Sequence, residues 1–249
     1  MSPLQRTLSI YAREAWAQFL VTVRTPQFVA PTLVLPVMFY ALFGVAFAQG
    51  HPRASQGLLA TYAVFTAIGP ALFGFGAGVA AEREAGQLEL KRASPMPGGA
   101  YVAGKLIASM ALAALALAPI CVLAVRAGVS MAPWRWAAVV ALGVGSAIPF
   151  ALIGLNLGLR LGAQGAVASA NLLFLAFCML GGLWIPLTQM PNWMTTLAWA
   201  LPSFHLGQLS LGLAGMIPQT EVFAHVVIVL GVCAIAAVGA WAAWRREEA

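Results

Sequence analysis

The stretch LGAQGAVASANLLFLAFCMLGGLWIPLTQMPNWMTTLAWALPSFHLGQLSLGLAGMIPQT, Leu161 to Thr220, runs for 60 residues without an aspartate, glutamate, lysine or arginine. About 20 apolar residues at about 1.5 Å each cross the hydrocarbon core as a helix, so there is room for one crossing or two. The answer sets both the number of spans and the side on which the chain ends. Pro191, Pro202 and Pro218 crowd the second half, together with His205 and several glycines. That composition suits a broken, partly inserted hairpin better than a straight span. One crossing over about 167–187 and an outer re-entrant hairpin over 188–220 is the expectation.

Charge on either side points the same way, because lysine and arginine near span ends favour the cytoplasm. Five other stretches are long enough to span: 28–48, 58–81, 101–125, 136–159 and 222–244, the third with Lys105 snorkelling to the interface. With one crossing at 167–187, Arg6, Arg13, Arg24, Arg83, Lys91, Arg92, Lys105, Arg160, Arg245 and Arg246 lie inside, against Arg53, Arg126 and Arg135 outside. A second crossing would move Arg245 and Arg246 outside, against the rule. The sequence thus predicts an all-α, polytopic membrane protein: a single transmembrane domain over 1–249, six transmembrane helices, both termini cytoplasmic.

Composition agrees. Of the 249 residues 61% are hydrophobic and only 8% charged, against roughly a quarter charged in an average soluble domain, and mean hydropathy is +0.89. No water-soluble fold of this size hides that much apolar surface. The first 25 residues carry Arg6, Arg13, Glu14 and Arg24 and lack the apolar core of a cleavable signal peptide, so the first span is expected to act as an uncleaved insertion signal. Leu4, Leu8, Tyr11, Ala15, Phe19 and Val23 recur every three to four residues, with Gln5, Arg6, Ser9, Arg13 and Gln18 turned away. That is the pattern of an interfacial amphipathic helix, ended by Thr25-Pro26.

The net charge of +6 reads as topology rather than as a nucleic-acid surface. The absence of any aspartate among the seven acidic residues weakens readings built on aspartate ligands, such as a magnesium-dependent lipid transferase. Cys121, Cys178 and Cys233 sit in apolar stretches with no CxxC pair and read as inert thiols.

The longest cytoplasmic connection, 82–97, gathers Glu82, Arg83, Glu84, Glu89, Lys91 and Arg92 in a chain with few charges elsewhere. Leu88 with Arg92, and Gly86 with Leu90, stand four apart, so a short helix here presents a mixed apolar and charged face; Pro95 and Pro97 stop it. A solvated loop and a docking element for a soluble partner are both compatible with these residues.

The run Glu82-Arg83-Glu84-Ala85-Gly86-Gln87-Leu88-Glu89, followed by Ser94-Pro95, Tyr101 and Gly104-Lys105, resembles the loop between the second and third spans in permeases of the type 2 ABC exporter family. That family's pattern is roughly E-R-E-x-G-T-L-E, then T-P and Y-x-x-G-K; here Gln87 replaces the usual threonine, and Lys91-Arg92 stands where leucines are common. A second resemblance, to the family's extracellular re-entrant hairpin, lies at Ile185-Pro186, Met190-Pro191-Asn192-Trp193 and Leu201-Pro202.

The resemblance implies that Glu82, Arg83, Glu84, Gly86, Gln87, Leu88, Glu89, Lys91, Arg92 and Ser94 form a coupling helix seated in a groove of a cytoplasmic ATPase. Two permeases, as a homodimer, would work with two ATPases in a plasma membrane, a bacterial inner membrane. ATP and magnesium would sit on the partner; this chain would have no cofactor or ATPase site of its own and would not be an enzyme. Relatives with similar loops handle lipid-like molecules, drugs in multidrug efflux, glycans and ions.

Other motifs carry less. Gly99 to Leu106 fits G-x-x-x-x-G-K, but Leu106 stands where a phosphate-binding loop needs Ser or Thr, and no strand precedes it. His205, near Ser203 and Ser210, and His225, near Glu221, lack the context of a serine protease or of a metal site; His205 reads as a polar group of the outer hairpin. Gly74 with Gly78, and Gly154, Gly158 and Gly162, have helix-packing spacing. Asn156 and Asn171 are uncharged polar groups within spans, candidates for an interhelical bond or for lining a translocation path. No span centre holds Asp, Glu or Arg, where ion-coupled carriers place ionisable groups. That fits export of an apolar or amphipathic substrate with energy supplied from outside the bilayer; the alternative is a self-sufficient channel or ion-coupled carrier.

Overall fold

In the computed structural model, which describes residues 3–94, 96–218 and 220–246, every regular element is helical. The expected stop at Pro95, the side chains of Leu4 and Arg92, and Glu247 and Glu248 lie outside the described residues. Helix α1 (Pro3–Val23) leads to α2 (Pro26–Phe39), which starts on a proline and runs on into a π-helical turn, Tyr40–Ala46. A proline fits there because its fixed φ and missing N–H cost nothing at a helix start.

Then follow α3 (Pro52–Phe75), α4 (Ala77–Glu84), α5 (Gln87–Ala93), α6 (Gly98–Arg126), α7 (Pro133–Gly145), α8 (Ala147–Arg160), α9 (Ala163–Met179), α10 (Asn192–Ala198), α11 (Pro202–Ala214) and α12 (Val222–Arg246). Single residues, Gly76 and Ser146, separate α3 from α4 and α7 from α8. Five of the described runs are long and apolar enough to cross a membrane: Phe28–Ala46, Pro52–Glu84, Gly99–Arg126, Pro133–Arg160 and Val222–Arg246.

The α3–α4 rod is the axis. Its most apolar window is 83% buried, against 6% for Val222–Arg246, and α6, α7, α8 and α11 all pack on it. Glycines set how closely they approach. A Cβ on Gly154 would lie 2.7 Å from the Leu72 carbonyl oxygen, one on Gly143 2.8 Å from that of Ala63, and one on Gly158 would collide with that of Phe75. The expected role of Gly154 and Gly158 in packing is met backbone to backbone. Gly74 and Gly78 differ: their nearest neighbours, Ser109 Oγ at 3.5 Å and Lys105 Cε at 3.6 Å, leave room for a methyl group. Gly162 faces the Glu84 carboxylate rather than a helix.

The helix that falls where a crossing at 167–187 is expected is offset from that range and shorter. Helix α9 starts four residues earlier and stops at Met179, because Gly182 takes φ +70° and the chain folds back, its Leu183 N–H bonding to the Cys178 carbonyl. The 188–220 region forms a 3₁₀ turn (Leu187–Gln189) and two short helices, α10 and α11. Helix α11 is far from superficial: Ser203, His205 and Ser210 are wholly buried, and the Ser210 hydroxyl donates to the Ala60 carbonyl of α3. His205, expected as a polar group of the outer hairpin, lies on α11 and is buried. Its Nδ1 lies 2.7 Å from Nδ1 of His225, and its Nε2 is 2.9 Å from the Trp199 carbonyl oxygen.

Helix α1 lies against α6, but not on the whole expected stripe. Ala15 and Gln18 are buried in that contact, whereas Leu8, Trp16 and Val23 are exposed. Gln18, expected to point away, is drawn in because Glu14 supplies an acceptor for its amide at 2.8 Å. The exposed apolar residues form a second face suited to a lipid surface.

Candidate functional site

The charged run from Glu82 folds as an elbow. Helix α4 ends at Glu84, and Gly86 turns the chain with φ +69°, a backbone region that favours glycine. Seven residues of α5 follow, closed by the Ser94 hydroxyl donating to the Lys91 carbonyl at 2.7 Å. Leu88 is 2% exposed and anchors the inner side of α5, while Leu90 is 73% exposed, beside exposed Gln87 and Glu89.

Behind the elbow runs a continuous polar network. Glu82 accepts from the Tyr101 hydroxyl at 2.6 Å and from the Lys105 ammonium. The Tyr101 ring lies under two cations, Lys91 Nζ at 4.6 Å and Lys105 Nζ at 5.3 Å from its centroid. Lys91 then pairs with Glu14 of α1 at 2.6 Å, and Glu14 also accepts from Gln18. Burial raises the Glu14 pKa, but hydrogen bonds from Gln18 and Lys91 and the Lys91 charge outweigh it and hold the carboxyl below its ordinary value. Lys105 therefore does not snorkel to water: its ammonium is turned onto Glu82 and its side chain is buried.

Arg83 and Glu84 tie the elbow to the next layer. Arg83 donates to the carbonyls of Leu159 and, at 2.8 Å, Leu161. The Glu84 carboxylate accepts from the Ala163 N–H at 2.8 Å, at the start of α9, where a negative charge complements the helix dipole. Of the residues expected to meet a partner, then, Glu82, Arg83, Glu84, Leu88 and Lys91 are engaged inside the chain, Gly86 makes the elbow, Ser94 closes α5, and Gln87 and Glu89 are uncovered. Sequence reasoning missed Glu14 and Gln18 as members of this network. The available signal was Glu14 itself, an acidic residue set between Arg13 and an apolar run.

Both α1 and the end of α12 lie at this same end of the molecule, where Trp244 contacts the Tyr101 ring at 6.5 Å. A cavity of about 590 Å³ opens here between α1, α4, α6 and α9, with Gln18, Glu82, Lys105 and Ser109 on its polar side and Phe28, Phe73 and Val167 on its apolar side. Farther along the same face, between α2, α3 and α9, a smaller cavity of about 180 Å³ is lined by Thr32, Thr66, Phe174 and Asn171. The two asparagines separate: Asn156 donates to the Ala236 carbonyl at 2.7 Å and joins α8 to α12, whereas Asn171 is exposed on the α9 face and bonds its own helix at Val167.

Comparison with known proteins gives two findings. A family model described as "ABC-2 type transporter" matches residues 14–213, from Glu14 of the network to Leu213 of α11. A curated Bacillus subtilis (strain 168) protein with the printed name "Putative transport permease YvfS" is 25% identical over 204 residues, covering 80% of this chain and 83% of that protein.

Proposed function

Because the chain belongs to the ABC-2 type transporter family, and is therefore a multi-pass membrane permease, we propose that it is the membrane subunit of an ATP-driven exporter for an apolar or amphipathic substrate. The observation that carries this is the elbow. Its inner residues are locked to α1, α6 and α9, while Gln87, Glu89 and Leu90 remain uncovered on a helix too short to stand alone. Gln87, Glu89 and Leu90, held on that rigid support, are the part of the charged run left available to a soluble protein. A cytoplasmic ATPase that closes on ATP pushes on α5, and the network passes that displacement to α1 and α6.

In this reading α9, at 17 residues or about 25 Å, is the fifth of six crossings, at the short end of what spans a bilayer. Helices α10 and α11 are the re-entrant hairpin on the outer side, and both termini are cytoplasmic, in a bacterial inner membrane. Two copies pair through the α2–α9 face. That face carries Thr32 and Asn171 in its groove, whereas the exposed side of α12 ahead of Arg245 and Arg246 presents apolar residues such as Leu230, Ile235 and Val238 to lipid. The paired grooves form the path, with Asn171 on its wall.

Co-expression with candidate ATPases tests the proposal. The permease is expected to retain one of them through purification and to raise its ATP turnover. Leu90→Glu is expected to abolish retention while leaving the protein folded in the membrane. If no ATPase is retained by the wild type, or Leu90→Glu changes nothing, the proposal fails.

A further inference from the structure

We propose that the large cavity at the end opposite the elbow binds an amphiphile with one anionic headgroup, its charge held by Arg53 and its tail by the apolar walls. The inference rests on the transport reading for the role of the bound molecule as cargo and deepens it by naming a substrate class. The cavity, about 690 Å³, lies where the π turn after α2, the start of α3, the segment 181–189 and α11 meet. Phe43, Phe47, Leu58, Leu183 and Leu211 stand among the residues of its mainly apolar wall. That volume is in the range of small-molecule sites.

Charge complementarity identifies the occupant. Arg53 lines the cavity, is exposed, and makes no hydrogen bond or ion pair among the described residues. It stands at the second position of the 24-residue α3, where the positive end of the helix dipole adds to its field. The other basic side chain near this end that the structure engages, Arg135, donates to the Leu213 carbonyl at 3.0 Å and stacks on Trp134. Among the described residues no carboxylate lines the cavity; its other polar side chains include Thr61, Thr188, Gln189 and Gln208.

A site with a guanidinium free of any ion pair among the described residues and no anion favours a phosphate or carboxylate headgroup. It disfavours cations, for which it holds a repelling charge and no counter-charge.

The experiment is native mass spectrometry of the permease in a non-ionic detergent, with dodecyl phosphate, dodecanol, and phosphatidylglycerol against phosphatidylcholine of matched chains as probes. Wild type is expected to retain dodecyl phosphate about tenfold better than dodecanol, the scale of one charge-assisted contact. Arg53→Gln is expected to erase that preference and Arg53→Lys to keep part of it. Gly57→Leu fills the cavity at a position where a Cβ meets only the Met216 methyl, at 3.4 Å, and is expected to lose both single-chain probes.

A matching preference for phosphatidylglycerol would identify bilayer lipid as the source of the headgroup. Its absence, with dodecyl phosphate bound, would identify a single-chain amphiphile. Equal retention of dodecyl phosphate and dodecanol by wild type, an unchanged preference in Arg53→Gln, or undiminished binding in Gly57→Leu overturns the proposal. ATPase retention by the same variants is read in parallel, so failure of the headgroup preference with ATPase retained is distinct from failure of the transport reading.

Discussion

Glu82 joins the elbow to α6, accepting from Tyr101 and Lys105 across 19 and 23 positions of sequence. Replacing it by Gln leaves the buried Lys105 ammonium without its counter-charge, a loss of about 3 kcal/mol. Tyr101→Phe removes one hydrogen bond to a charged group, about 2 kcal/mol. Thermal unfolding in detergent is expected to rank Glu82→Gln below Tyr101→Phe, and Lys105→Met added to Glu82→Gln should recover much of the loss; an additive double mutant would count against direct pairing.

At Glu14 the effect is one of pH. A carboxyl held below its ordinary value of 4.5 contributes stability that is full above that value and is lost as pH falls through the lowered one. After correction for intrinsic exchange, which is itself much slower at pH 4, the amides of α1 are therefore expected to be less protected near pH 4 than at pH 7, and Glu14→Gln should flatten the difference. The cluster of charges from Glu82 to Arg92 was legible in the sequence as a special segment. Its internal partners were not, because Glu14 and Lys91 are 77 residues apart and a single sequence carries no record of such pairings.

The elements were legible where periodicity and length decide and obscure where one residue does. Hydropathy located the long apolar helices within a few residues, but it treats Leu183 and Trp184 as more of the same span. The backbone turns at Gly181-Gly182, where a Cβ on Gly182 would lie 2.7 Å from Leu187 Cγ. The adjacent glycines were the available sign. Glycine spacing likewise gave Gly74 with Gly78 and Gly154 with Gly158 equal weight, although only the second pair meets another helix's backbone. Gly158→Ala is expected to cost about 2 kcal/mol, the scale of overpacking, and Gly74→Ala to be near neutral; comparison of unfolding midpoints checks both. Equal effects would mean that the α3–α8 crossing is looser than its geometry.

At the scale of the whole molecule, exposed apolar surface runs along α1, α2, α6, α9 and α12, and the faces that compete as a pairing surface are that of α2 with α9 and that of α12. Composition showed that such surface must exist but not where, since every span is apolar all round. Oxidative cross-linking in membranes is expected to join Leu172→Cys protomers, whose site on α9 is 71% exposed, and not Ile235→Cys protomers on α12. The reverse result would move the pairing face to α12 and leave the α2–α9 groove open to lipid.

The one-residue interruption at Gly76 gives the central rod unequal arms. On one side lie the eight residues of α4, on the other the 24 of α3, about 12 Å and about 36 Å at helical rise. Gly154 and Gly158 hold the rod at that point like a fulcrum. By the ratio of the arms alone, a rigid rotation about that point that moves Glu84 by about 1 Å moves Arg53 by about 3 Å in the opposite direction. The short arm ends at the charged elbow and the long arm at the mouth of the opposite cavity.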